Sequence, residues 1–181
     1  IHQDGRTLYP GSGFTDEFGG PNALGMTINI PLPPRTSDEG FLYVLENAIM
    51  PILAEYKPDL VINSAGQDNH YTDPITNMRF SAQGYARLNE ILAPDIAVLE
   101  GGYSIEKALP YVNVGIILAM AGLDYSAVRE PDYHAEALRQ SDQITRHIER
   151  TAAEVMQLWK KRREMKKSLV GDAGYVKRNK H

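Results

Sequence analysis

Two short, nearly all-apolar runs, each closed by glycine, constrain this chain more than any other feature. "PDLVINSAG" (58–66) and "DIAVLEGG" (95–102) are too short for core helices and rich in Val, Ile and Leu. Such runs read as buried strands of a mainly parallel sheet, covered on both faces. Between them "SAQGYARLNEIL" (81–92) has helical spacing, with Ser81 as its N-cap. Strand, helix, strand in that order predicts an α/β fold with parallel pairing.

The same reading extends outward. "MTINIPL" (26–32) predicts a strand stopped by Pro33-Pro34. Ser37 reads as an N-cap, with Asp38 and Glu39 in the first turn of a helix. Phe41, Leu45, Ala48, Ile49, Ile52 and Leu53 form the apolar face of that helix, and Pro51 inside it predicts a kink or break. Ser104 reads as the cap of a helix running to about Leu123, interrupted at Pro110. Residues 135–167 predict one long helix with a stripe at Ile144, Ile148, Ala152, Val155, Met156 and Trp159. That stripe packs on the body or, less simply, on another copy in a homo-oligomer. The last eleven residues read as a frayed end. "IHQDGRTLYPGSGF" follows no element of its own, and about three strands make a small sheet. A missing upstream segment is therefore expected.

The chain has 181 residues and 43% hydrophobic content, enough for one core. It contains no cysteine. Any metal must then be held by His, Asp and Glu, and the composition fits a reducing, cytoplasmic setting. No apolar run reaches membrane-spanning length. Nine of 19 basic residues but only two of 23 acidic residues follow Trp159. The first 158 residues thus carry 10 basic and 21 acidic side chains. An acidic body disfavours nucleic acid as a partner and suits a cationic substrate. The basic end reads as a solvated helix terminus.

In open α/β sheets ligands bind beyond the carboxyl ends of the strands. The first strand delivers Asp68, His70 and Asp73 there, and the second delivers Gly101, Gly102 and Tyr103. A carboxylate can ligate a divalent cation, and a phenol can donate to an oxygen that gains charge. Asp and Asn are equally ordinary turn residues, and a lone Gly-Gly-Tyr is weak. On spacing alone, turn chemistry and a metal site both remain open.

A set of motifs narrows the choice. "YPGSGF" (9–14), "NIPLPP" (29–34), "PDLVINSAGQDNHYTDPI" (58–75), "FSAQGYARL" (80–88) and "VLEGGYSI" (98–105) occur in this order. Together they resemble the carboxyl-terminal half of the histone deacetylase family, over about residues 2–125. The family includes acetylpolyamine amidohydrolases and acetoin-utilisation deacetylases, and the "LEGGY" form is similar to its class II and prokaryotic branches. The resemblance implies a three-layer α/β/α sandwich of arginase/deacetylase type, and hydrolysis of an acetamide on lysine, a polyamine or a related amine. It implies Zn2+, or Fe2+, with Asp68 as one ligand. It makes Tyr103 the catalytic oxyanion donor, and Tyr9, Gly101 and Gly102 the lining of the substrate tunnel. His70 and Asp73 become turn residues behind the metal ligand. Gln67 stands where relatives often carry an aromatic or small residue, and is expected to alter the pocket. Two further ligands and a His-His dyad belong, by the same resemblance, to an amino-terminal half that this sequence lacks. Residues 1–134 are expected to be the carboxyl-terminal half of the catalytic domain, and 135–181 a helix and basic tail packed on it. The competing expectation is a non-catalytic interaction or ligand-binding module of the same fold.

Overall fold

The computed structural model describes residues 1–20, 22–131, 133–136 and 138–178, with side chains through Met165. Four strands pair as two parallel two-stranded sheets among these residues. β1 (His2–Gln3) pairs with β2 (Pro31–Leu32), and β3 (Ile62–Ala65) with β4 (Ile96–Leu99). β2 is much shorter than the strand predicted over 26–32. Its partner sets the limit. β1 offers two residues before the chain turns at Gly5, where the Thr7 N–H bonds the Asp4 carbonyl.

The helix after Ser37 is built in three parts. α1 (Asp38–Val44) passes into a π-helical stretch (Leu45–Ile49) and then α2 (Met50–Tyr56). The kink predicted at Pro51 takes this form. Proline has no N–H and its ring crowds the carbonyl four residues back, so a local switch to i→i−5 bonding, seen at Met50 N–H to Leu45 carbonyl, accommodates it. Ser37 sits at the cap position but makes no side-chain cap bond. The Asp38 carboxylate reaches instead to the backbone N–H and hydroxyl of Ser81. Ser81 does cap α3 (Ala82–Leu92), accepting from the Gly84 N–H at 3.0 Å.

α4 (Leu109–Met120) starts four residues later than predicted, with Ala108 rather than Ser104 at the cap position. Pro110 lies in its first turn, where a missing N–H costs nothing, so it opens the helix rather than interrupting it. The Ser104 carbonyl accepts from Ala108 and Leu109. The long helix also differs from its predicted range: α5 runs from Asp142 to Arg178. Residues 133–136 and 138–141 are irregular, and Gln140 is used elsewhere, accepting from the Ser37 N–H and donating to Thr145 Oγ1. The frayed end expected over the last eleven residues is helical to Arg178, and 179–181 lie outside the described residues.

The core joins α1, α3, α4, β2 and α5. From α5 it takes Ile148, Ala152, Val155 and Trp159, all buried, so the stripe packs on the body. The Trp159 indole N–H donates to Glu55 at 2.8 Å, and the Arg162 guanidinium lies 3.4 Å over its ring. The sheet departs from the expectation of strands covered on both faces. Ile62 is 55%, Ile96 43% and Val98 39% exposed, because no further layer lies over their face of β3–β4 among the described residues. No described helix is long and apolar enough to cross a membrane.

Trp159→Ala removes the largest side chain that α5 buries. It should cost about 3–5 kcal/mol in urea unfolding, with the loss of α5 helicity preceding or accompanying the main transition.

Candidate functional site

The β3–β4 register places Ala65 opposite Leu99, so the two strands end side by side. The turns that follow are stitched together by the Gln67 N–H, which bonds the Gly101 carbonyl at 2.6 Å. Asp68 and Tyr103 therefore share one rim although 35 residues separate them. Gly101 lies between them: a Cβ there would stand 3.0 Å from Asp68 Oδ2 and 3.6 Å from the Tyr103 hydroxyl. Any side chain at 101 would intrude on the space that both groups face. Gly102 has φ +149, and a Cβ on it would press on Gln67 and Leu109, so the turn requires glycine there too.

Tyr103 is 55% exposed, and its ring is open to approach. Its backbone is fixed from below. The Tyr103 N–H donates to Asp73 Oδ2 at 2.7 Å, while Asp73 Oδ1 accepts from the Ile75 N–H at 2.9 Å. Asp73 thus ties the first turn to the second. His70 is wholly buried beneath them. The Thr72 N–H donates to its Nδ1 at 3.2 Å, which leaves the ring proton on Nε2, 3.3 Å from Glu130 Oε1. That contact lies off the ideal hydrogen-bond direction. Thr72 Oγ1 also meets His70 Nδ1 at 2.9 Å and Ser104 Oγ at 2.6 Å. A polar chain thus runs from Glu130 through His70 and Thr72 to the residue beside Tyr103.

Burial raises the Asp68 carboxyl above its ordinary value, and the nearby Asp73 charge raises it further. For Glu130 burial pushes upward, but the bond from His70 and the backbone N–H bonds outweigh it and hold the carboxyl low. Tyr85, beneath the rim, is pushed well above the usual phenol range by burial and by the Asp68 charge. The Asn69 backbone N–H approaches its buried hydroxyl and pulls it down slightly.

Asp68, His70, Asp73, Gly101, Gly102 and Tyr103 are thus brought together. Tyr9 stands 92% exposed in the loop between β1 and β2. Gln67 is almost wholly buried and borders the cavity between β4 and α4, with Ala97, Leu99 and Ile117. It is turned into the core, where its amide donates to Asn113 Oδ1 of α4 at 2.5 Å. Sequence reasoning missed Thr72, Ser104, Asn113 and Glu130. Thr72 and Ser104 adjoin residues already singled out, so adjacency was a usable signal. Glu130 lies 60 residues from His70 and carried none. Among the described residues no group of three or more His, Asp or Glu side chains is placed to hold a metal ion. Asp68 offers one carboxylate, which is a partial set for zinc.

Residues 1–120 match the family model described as the histone deacetylase domain. A probable deacetylase of Archaeoglobus fulgidus is 50% identical over 140 residues, covering 72% of this chain and 39% of the relative. The acetoin utilization protein AcuC of Bacillus subtilis is 37% identical, covering 68% of this chain and 34% of the relative. Among solved structures, the HDA15 HD domain aligns with a TM-score of 0.71 at 22% identity, over 99% of this chain and 46% of that one. An acetylpolyamine aminohydrolase from Burkholderia pseudomallei aligns with a TM-score of 0.57 at 28% identity, over 71% of this chain and 37% of that one. The chain spans less than half the length of these proteins.

The raised Asp68 carboxyl carries a sign. Its ionised form opposes folding of the metal-free chain; that penalty is absent below the ordinary value of 3.8 and complete above the raised folded value. Asp68→Asn should therefore melt higher than the parent at pH 7, and the two curves should converge as pH falls below 3.8. Melting followed by circular dichroism across pH checks this.

Proposed function

Because the chain belongs to the histone deacetylase family, we propose that it is the carboxyl-terminal half of a metal-dependent deacetylase domain. In this reading the whole domain hydrolyses the acetamide of an acetylated lysine, polyamine or related amine. One observation carries the proposal: a desolvated carboxylate and an exposed phenol flank a single glycine at the joined ends of two parallel strands. A purely structural turn has no need of a phenol held there by a carboxylate bond to its backbone.

Asp68 fits a divalent cation as one oxygen ligand. Its charge is poorly hydrated and lies near a second carboxylate, so a cation is the partner that this site favours. The remaining ligands must come from outside the described residues. When bound, zinc or ferrous iron supplies Lewis acidity and an activated water. The chain's own residues do the rest of their share by position. The Tyr103 hydroxyl donates to the acetyl oxygen as it gains negative charge, and Asp73 holds the Tyr103 backbone for that task. Gly101 keeps the space between ligand and donor clear for the substrate carbonyl. Gly102 sets the turn, and Tyr9 supplies an aromatic wall for the methylene stem of the amine.

A second reading also has an observation behind it. The incomplete ligand set suits a non-catalytic module that binds partners or acetylated ligands without turnover. Both readings are tested by producing this chain together with the amino-terminal part of the Archaeoglobus relative. Zinc near one per complex with turnover of an acetyl-lysine or acetylpolyamine substrate supports the deacetylase. In that complex Tyr103→Phe should lower turnover about a hundredfold to a thousandfold with metal content unchanged. Undiminished turnover removes Tyr103 from its role. A stable wild-type complex with neither metal nor turnover favours the module.

A further inference from the structure

The turn that carries Asp68 also grips the strand end that carries Tyr103. Two glycines precede Tyr103, and Gly102 has φ +149. Consecutive glycines loosen a chain, so a phenol that must stop at one place needs its backbone held from elsewhere. Asp73 supplies one hold, on the Tyr103 N–H. The next residue, Ser104, is held twice. Its carbonyl accepts from the Ala108 and Leu109 N–H groups at the start of α4, and its hydroxyl meets Thr72 Oγ1 at 2.6 Å. The chain is thus tied down on both sides of Tyr103, before it by Asp73 and after it by Ser104.

The direction of the hydroxyl bonds follows from counting protons. The Thr72 N–H donates to His70 Nδ1, so that nitrogen is an acceptor. The Thr72 hydroxyl lies 2.9 Å from the same nitrogen and gives it its single proton. Toward Ser104, Thr72 Oγ1 can then only accept, and the Ser104 hydroxyl is the donor. The order Ser104, Thr72, His70 runs one way. Its base is rigid. His70 is wholly buried, stacks on Tyr71 with ring centroids 4.5 Å apart, and forms a parallel bridge with Phe80. The Asp68 carbonyl is held separately, by the Thr76 hydroxyl.

We propose that Thr72 and Ser104 are positioning residues for Tyr103: two hydroxyl bonds in series, anchored on His70, set where the phenol stands. This rests on the reading that Tyr103 donates to the acetyl oxygen of a deacetylase substrate. Neither hydroxyl has a proton left for the substrate, so both act through the Tyr103 backbone. A misplacement of about 1 Å at a reacting group can cost about a hundredfold in rate. Loss of either hydroxyl is therefore read in turnover rather than in substrate binding.

The test compares Ser104→Ala, Thr72→Val and Thr72→Ser in this chain and in its complex with the amino-terminal part of the Archaeoglobus relative. Valine keeps the shape of Thr72 and removes the hydroxyl; serine keeps the hydroxyl. In the free chain Ser104→Ala and Thr72→Val should each speed exchange of the Tyr103 amide about tenfold, and Thr72→Ser should match the parent. In the complex the first two should each lower kcat about tenfold to a hundredfold, with KM and metal content unchanged. Thr72→Ser should restore kcat. Ser104→Ala combined with Thr72→Val should lose no more than either alone, because the two bonds act as one unit. Three results overturn the inference: a Tyr103 amide that exchanges as in the parent, a parent-like kcat in Ser104→Ala, or a fall in kcat that comes with lost metal. A parent complex without turnover removes the deacetylase reading instead, and the exchange result then decides the positioning by itself.

Discussion

Four residues of parallel pairing carry the rest of this structure. The ladder between Ile62–Ala65 and Ile96–Leu99 is short, yet it aligns the ends of two strands that lie 30 residues apart in the chain. From that alignment follow the bond between Gln67 and Gly101, the nearness of Asp68 to Gly101, and the placing of Tyr103 over both. A slip of one residue would turn each side chain to the opposite face and separate the carboxylate from the phenol. The ladder is itself braced at its start, where the Asp95 side chain accepts from the Val61 N–H at 2.8 Å. Register is thus fixed at both ends by hydrogen bonds rather than by a buried face, which is consistent with so much of β4 being exposed.

Below the rim, stability and function draw on the same polar groups. His70 and Glu130 are buried together, and an unpaired charge at that depth would be costly. The cost is met by distributing bonds: Thr72 to His70, Ser104 to Thr72, the Ala82 N–H to Glu130. Glu130 therefore also stands at the amino end of α3, where a carboxylate is favourable. The neighbouring Asp38 makes the same kind of contact with Ser81. Burial raises the Asp38 carboxyl and the Glu130 charge adds to that, while its two bonds from Ser81 pull it down. Two acids from distant parts of the chain converge on one helix start, and the turn that carries Asp68 is anchored to that point through His70.

What the sequence made legible divides along physical range. The Ser81 cap, the α5 stripe and the two glycine-terminated strands depend on residues within a few positions of each other, and they read correctly. Asp68 and Tyr103 were legible as a pair because parallel strands of an α/β fold end on one side. The failures are tertiary. β2 is short because β1 is short, Ser37 is not a working cap because Asp38 is drawn to Ser81, and α5 starts late, with Gln140 spent on Ser37. The partner of Gln67, Asn113 on α4, was likewise not legible. None of these partners lies near in sequence, so no local pattern announces them.

The exposed side of the β3–β4 sheet follows from the same reasoning. Parallel strands belong in sheets covered on both faces, and their sequence is apolar throughout for that reason. Here α3 and α4 pack closely with each other, yet Ile62, Ile96 and Val98 on one face, and Leu99 and Ile117 on the other, still meet solvent. A chain selected to stand alone would place polar residues at such sites, as antiparallel sheets with one wet face do. The apolar residues at these positions are instead those of a central strand and a covering helix. Their composition suits a larger sheet, as the proposed deacetylase domain would provide.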